Sequence, residues 1–331
     1  MTKRRRLWPI FWGTILAVLL AGVAFWLIKA GESRDRGESV EKVITVGYSP
    51  YLINLPLFVA VENNLFSPFE VQLEPFSTTN TLTTAVIRGD VDLASATGTE
   101  LFLRTSELSP GALHVAMFNA FGKERWGEAF IVPSEANAGT MGIEFLKGKR
   151  IGTIPASTAE AYVKYIGNQQ GLEFASVERI SPDQALASLS QGSVDALFAV
   201  EPQVAFALQN DLGKVLMAGP LGTFIHDPLL AGAHVINGQF KRDRPEASAA
   251  IYRALASAVN LIDVDPQSAI VSAEKYTNLD REVLNRANLP LWVPGCKATE
   301  EDISFMADFF YQSKIVDSTE SYNEYIYCPE D

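Results

Sequence analysis

Histidine, cysteine and basic residues are scarce in this 331-residue chain, and each scarcity excludes something. His114, His226 and His234 are the three histidines, and none has a metal-ligand partner two to four residues on, so no spacing suggests a metal centre. No nucleophile elbow, Gly-rich phosphate loop or HExxH helix occurs. From Val40 onward 20 Lys and Arg stand against 36 Asp and Glu, which disfavours nucleic acid and anionic lipid as partner surfaces. No low-complexity tract reads as disorder, and the 47% apolar content is globular. The length suits two lobes of roughly 100–150 residues each.

The N-terminus is of another kind. Residues 1–6 carry Lys3, Arg4, Arg5 and Arg6, and "LWPIFWGTILAVLLAGVAFWLI" (7–28) follows without a charge. As a helix it would be about 33 Å long, enough to cross a bilayer. Trp8, Trp12 and Trp26 sit near its ends, as interfacial aromatics do. The basic cluster stays cytoplasmic by the positive-inside rule, which puts the remainder across the membrane. The apolar run exceeds that of most cleaved signals, so the expectation is an uncleaved single-pass anchor with a charged tether over 29–42. "LAGV" has the look of a lipoprotein signal with Val23 where the lipid-bearing cysteine would stand.

Cys296 and Cys328 lie close to the C-terminus. An exported location permits a disulfide between them; two separate buried thiols are the other reading.

Between these ends the chain repeats itself. "KVITVGYS", "FEVQLEPFS" and "VDLASAT" read as strands alternating with helices over "LPLFVAVENNLF" and "TLTTAVIRG". The same strand-helix-strand-helix-strand order returns in "GKRIGTIPAS", "TAEAYVKYIGNQQG", "FASVERIS", "PDQALASLSQG" and "VDALFAV". Both copies enter their third strand through Gly-x-Val-Asp, at Gly89–Asp92 and at Gly192–Asp195. Asp92 and Asp195 read as turn residues there. Alternating β and α elements predict a mostly parallel sheet in each of two α/β lobes, whose ligands bind beyond the carboxyl ends of the strands. Two connections, "LHVAMFNAFG" to "EAFIVP" outward and "LLAGAHVINGQF" returning, make a hinge. The lobes divide as 43–127 with 238–331 and 128–237.

"PLFVAVENNLF", "FSTTNTLTTAVIRGDVDLASATG", "LKGKRIGTIPASTAEAYV" and "ALASLSQGSVDALFAVEP" together resemble the periplasmic substrate-binding proteins of nitrate, sulfonate, taurine and thiamine-precursor uptake. The resemblance runs from about Val43 to Val264. It implies a type II periplasmic-binding-protein fold, with two lobes joined by a two-crossover hinge. It also implies a monomer that hands a small solute to an ABC permease and its ATPase, with no cofactor and no catalysis. A ligand-sensing module for a separate membrane partner is the alternative. A pyrimidine-precursor enzyme is a weaker one, because the cysteine-rich iron motif of that branch is absent.

By matching position, the resemblance places ligand-contacting residues at Ser49, Tyr51 and Asn54, at Thr78 and Thr79, and at Thr97, Gly98 and Thr99. In the second copy it places them at Ser157, Thr158 and Glu201, with Asn119 and Trp126 on the crossover. Ser157 with Glu160 also fits a capping box, Thr97 and Thr99 fit caps of the next helix, and Glu201 fits a plain strand end. None of these rim residues is basic. Glu201 there would repel an anion and favour a neutral or amine-bearing solute.

Overall fold

The computed structural model describes residues 42–136, 142–277, 279–319 and 322–329. The expected anchor and tether lie outside the described residues up to 41, and no helix among the described residues is long and apolar enough to cross a membrane.

Strand β1 (Val43–Tyr48) opens the first repeat, with Ile44 and Val46 fully buried. Helix α1 (Leu55–Glu62) starts with Pro56 in its first turn, and β2 (Glu70–Pro75) follows. Helix α2 (Thr79–Arg88) is capped by Thr78, whose hydroxyl accepts from the Thr81 N–H, and Gly89 stops it in the left-handed region at φ 76°. Then come β3 (Leu93–Gly98), α3 (Thr99–Leu108), β4 (Leu113–Phe121) and β5 (Glu128–Val132). The second repeat is β6 (Arg150–Thr153), α4 (Ser157–Gln169), β7 (Ser176–Arg179), α5 (Pro182–Ser190) and β8 (Ala196–Val200). Helix α6 (Gln203–Gln209), β9 (Lys214–Ala218), α7 (Pro220–Phe224) and β10 (Leu229–Asn237) lead onward. The chain closes with α8 (Gly238–Asp243), α9 (Pro245–Val264), α10 (Pro266–Thr277), α11 (Arg281–Arg286), β11 (Leu291–Pro294) and α12 (Glu300–Gln312).

Two sheets result, ordered β11-β4-β10-β3-β1-β2 and β7-β6-β8-β5-β9. Each repeat supplies a parallel core, β1 beside β3 and β6 between β7 and β8. Beside each core runs an antiparallel strand that arrives from the other sheet: β10 against β3, and β5 against β8. The returning segment at Leu229 is therefore a central strand of the first sheet rather than a connector. Among the described residues, those of Ile44–Ser67 and from Val71 onward form one compact unit that carries both sheets but for the first residues of β1 and β2.

The repeated Gly-x-Val-Asp joint performs the same task twice. The Asp92 N–H donates to the Thr45 carbonyl at 2.8 Å, and its carboxylate accepts from the Thr45 N–H at 2.8 Å. The Asp195 N–H donates to the Arg150 carbonyl at 2.9 Å, and its carboxylate accepts from the Arg150 N–H at 2.8 Å. Each aspartate thus sets the start of its third strand against the first strand of the same repeat. Burial raises the Asp92 pKa, whereas the Arg150 guanidinium lowers that of Asp195.

The two crossings from sheet to sheet lie against each other. A Cβ at Gly222 would strike the backbone of Gly122 and Lys123, so only glycine lets helix α7 approach the turn after β4 this closely. The fully buried Glu128 accepts from the Gly127 and Leu221 N–H groups, tying the outgoing crossing to the returning one. Burial pushes its pKa up to about 8.

Candidate ligand-binding cleft

At the carboxyl edge of the first sheet a buried polar chain runs across three strands. Asn54, in the 3-10 turn Leu52–Asn54, donates from Nδ2 to the Ser49 carbonyl at 2.5 Å. Its Oδ1 accepts from Ser95 Oγ at 2.7 Å. Ser95 Oγ also meets His234 Nδ1 at 2.8 Å, and His234 Nε2 meets Asn119 Oδ1 at 2.9 Å. The directions along the chain are fixed from its first member. Ser49 can only accept, so Asn54 turns Oδ1 to Ser95, and the Ser95 hydroxyl spends its proton there. The His234 Nδ1–H must then donate to Ser95. Burial keeps this imidazole neutral, its pKa lowered to about 3, so Nε2 is an acceptor. This direction is satisfied when the Asn119 amide is turned end for end, which gives Nδ2 to His234 and faces Oδ1 outward. The outer amide atom, Nδ2 before that exchange, has no partner among the described residues. It overhangs Gly232, where a Cβ would lie 3.1 Å from it and 3.0 Å from the Thr97 carbonyl oxygen.

Thr97 and Thr99 are buried and committed to the scaffold. Their hydroxyls donate to the Ala233 and Leu230 carbonyls at 3.0 and 2.8 Å. Neither caps α3; Gly98 is its N-cap. Thr78 caps α2 as described, Thr79 is its first residue, and Tyr51 is exposed. Glu100, which matches no motif, folds its carboxylate back onto the N-terminus of α3. There the Glu100 and Leu101 N–H groups favour its charged form. A Cβ at Gly98 would strike both carboxylate oxygens. Burial raises the Glu100 pKa to about 7, against those N–H groups and the nearby Arg104 charge.

In the second repeat the capping box does not form: Ala156 is the N-cap of α4 and Ser157 its first helical residue. Glu160 instead pairs with Lys164 and Arg179. Thr158 and Tyr162 lie four residues apart on one face of α4. The Tyr162 ring packs against Phe309 and Phe310 of α12, and its hydroxyl is buried without a partner among the described residues. The same is true of Thr153 Oγ1, at the carboxyl end of β6. Trp126 is half-buried and packs beside the second-sheet core.

Glu201 is buried at the end of β8, and both its oxygens are engaged. One oxygen accepts from the Asn288 N–H and Nδ2 at 2.9 and 3.0 Å, and the other accepts from the Ala205 N–H at 3.0 Å. Burial raises its pKa, with Asn288 opposing. Its carboxylate thus joins the second sheet to the segment before β11. Sequence placed Glu201 at a rim, but its partner Asn288 is 87 residues away and carries no motif. Among the described residues no cluster of three or more His, Cys, Asp or Glu could hold a metal ion. Cys296 and Cys328 form a disulfide, with S–S 1.98 Å and Cα–Cα 5.0 Å.

By structure the chain is similar to the periplasmic aliphatic sulphonate binding protein SsuA of Escherichia coli. The TM-score is 0.69 at 17% identity, over 86% of this chain and 97% of that one. It is similar to the periplasmic nitrate-binding protein NrtA of Synechocystis PCC 6803, with TM-score 0.66 and 13% identity over 86% of each chain. A ligand-binding component of an ABC-type import system from Staphylococcus aureus gives TM-score 0.68 and 17% identity, over 86% of this chain and 96% of that one. No curated protein matches the sequence. The two-sheet α/β fold is that of periplasmic binding proteins, as the four sequence motifs led us to expect. The family model that matches, over residues 37–275, is that of the NMT1-like family, to which this chain therefore belongs.

Proposed function

We propose that this chain is an extracytoplasmic solute-binding protein that closes two lobes on a small polar solute and delivers it to an ABC permease. The lobes are the two sheets with their helices, and the hinge is the paired crossing at Gly122 and Gly222. With β10 in the first sheet, the second lobe runs over about 128–218. One observation carries the reading. Buried polar atoms without partners are rare, and here Asn119 of one sheet and Thr153 and Tyr162 of the other half hold three of them beside the strands' carboxyl ends. A polar solute between the lobes would satisfy all three. The disulfide supports an oxidising compartment, and the solutes named for the similar structures support transport of small molecules.

Spin labels at the exposed Ile87 on α2 and Leu208 on α6 report on the separation of the lobes. Nitrate, ethanesulfonate and ethylamine are the probes. At least one is expected to shorten and narrow the distance distribution by closing the hinge. An unchanged distribution with all three would overturn the proposal.

A further inference from the structure

The N-terminus of α3 has the features of an anion site: free N–H groups, a positive helix end, and a glycine N-cap at the carboxyl edge of the sheet. It is already filled by the chain's own Glu100 carboxylate. The overlap with a Cβ at Gly98 shows how tightly that carboxylate covers the N-cap. No Lys or Arg forms an ion pair with Glu100 among the described residues; Arg104, on the same helix, acts only at a distance.

The neighbouring strand continues the pattern. Gly232 of β10 pairs with Gly98 on one side and with Asn119 on the other. Directly paired residues project to the same face of a sheet, so the Glu100 carboxylate and the outward Asn119 amide overlie adjoining positions, about one to two strand spacings (~5–10 Å) apart. Both glycines lack the side chains that would fill the space between. The groups that border it are the Glu100 carboxylate, the Thr97 carbonyl and, by the proton order through His234, Asn119 Oδ1. All three are acceptors. Helices α3 and α4 belong to one apolar cluster with α12, through Phe102, Tyr162 and Phe309. The unpartnered Tyr162 hydroxyl is close enough to Glu100 for the carboxylate charge to raise its pKa.

We infer that the solute is a compact cation, a primary amine or an amidine, whose charged end lies between Glu100 and Asn119 above Gly232, and that oxyanions are excluded because Glu100 occupies their place on α3. The inference rests on the solute-binding reading above. A cation there donates to the carboxylate, to Asn119 Oδ1 and to the Thr97 carbonyl and holds Glu100 ionised, whereas a sulfonate or nitrate would meet acceptors.

Isothermal titration of the full chain with ethylamine, nitrate and ethanesulfonate tests it, alongside Glu100→Gln and Glu100→Ala. The wild type is expected to bind ethylamine and neither anion. Glu100→Gln, which keeps the side-chain shape, should weaken ethylamine at least tenfold. Glu100→Ala, which uncovers the helix N–H groups, should gain an anion. A wild type that binds nitrate or ethanesulfonate, with affinity unchanged in Glu100→Gln, overturns the cation assignment and leaves solute binding intact. Absence of binding by all three probes to wild type and variants overturns both.

Discussion

Urea unfolding of His234→Leu at pH 7 is expected to show a loss of about 2–4 kcal/mol against wild type. His234 is fully buried and joins Ser95 to Asn119. Leucine nearly fills the volume but strands the Asn119 amide and a Ser95 lone pair, and each buried unsatisfied group costs about 1–3 kcal/mol. The loss is pH-dependent with a definite sign. The folded-state pKa of His234 is depressed, from 6.5 to about 3. Its contribution is therefore complete above pH 6.5 and falls as the pH drops, by about 1.4 kcal/mol per pH unit at most. The gap between wild type and His234→Leu should close as the pH is lowered from 6.5 toward 4. Comparing the two proteins isolates this group, because His114, Glu100 and Glu128 titrate in both. A gap that is constant or widens toward acid would show that the imidazole is not held neutral in this chain.

Loss of the Cys296–Cys328 disulfide is the second large effect. The bond closes 32 residues, for which the chain-entropy account gives about 3–4 kcal/mol. Its position explains why the ends need joining. Strand β11 pairs with β4 over Met117–Ala120, and the C-terminal segment takes up the same edge one step further, bridging Ile326 to Val115. The Tyr327 N–H donates to the Val115 carbonyl at 2.7 Å. Two short segments thus share one edge of β4, and each is too short to stay paired alone. In a Cys296→Ser/Cys328→Ser variant the Tyr327 amide should lose its protection from hydrogen exchange, and the denaturation midpoint should fall. Unchanged exchange at Tyr327 would mean that pairing to β4 holds the segment without the bond.

Local patterns carried the repeats: the order of strands and helices in both βαβαβ units is the one period predicts, and Gly89 ends α2 as expected. The Gly-x-Val-Asp joint was also readable as scaffold, though that each aspartate clamps the first strand of its repeat became apparent only in three dimensions. The sequence division placed β5 in the second lobe, whose sheet it joins, but put β10 there too, because nothing local tells a strand which sheet it will join. Short strands such as β9 and β11 went unread for lack of sustained alternation. The rim positions were legible, but the roles within them were not. Ser157 looked like a cap and is not one, because the chain enters α4 one residue earlier. Thr97 and Thr99 spend their hydroxyls on the β10 backbone, a partner more than 130 residues away. Glu100 was invisible as a site residue because a Glu in a first turn is ordinary helix chemistry, and only the bare Gly98 beneath it shows where the carboxylate goes.

The central claim is that a small solute sits over Gly232 between the two sheets. Thermal unfolding of the full chain and of Gly232→Ala, with and without each probe, tests it most directly. The added methyl falls within 3.0–3.4 Å of the Thr97 carbonyl and Asn119, in the space assigned to the solute. A solute at 100 times its dissociation constant should stabilise the wild type by about 2.7 kcal/mol and leave Gly232→Ala nearly unmoved. Equal stabilisation of both proteins would place the solute elsewhere and contradict the account.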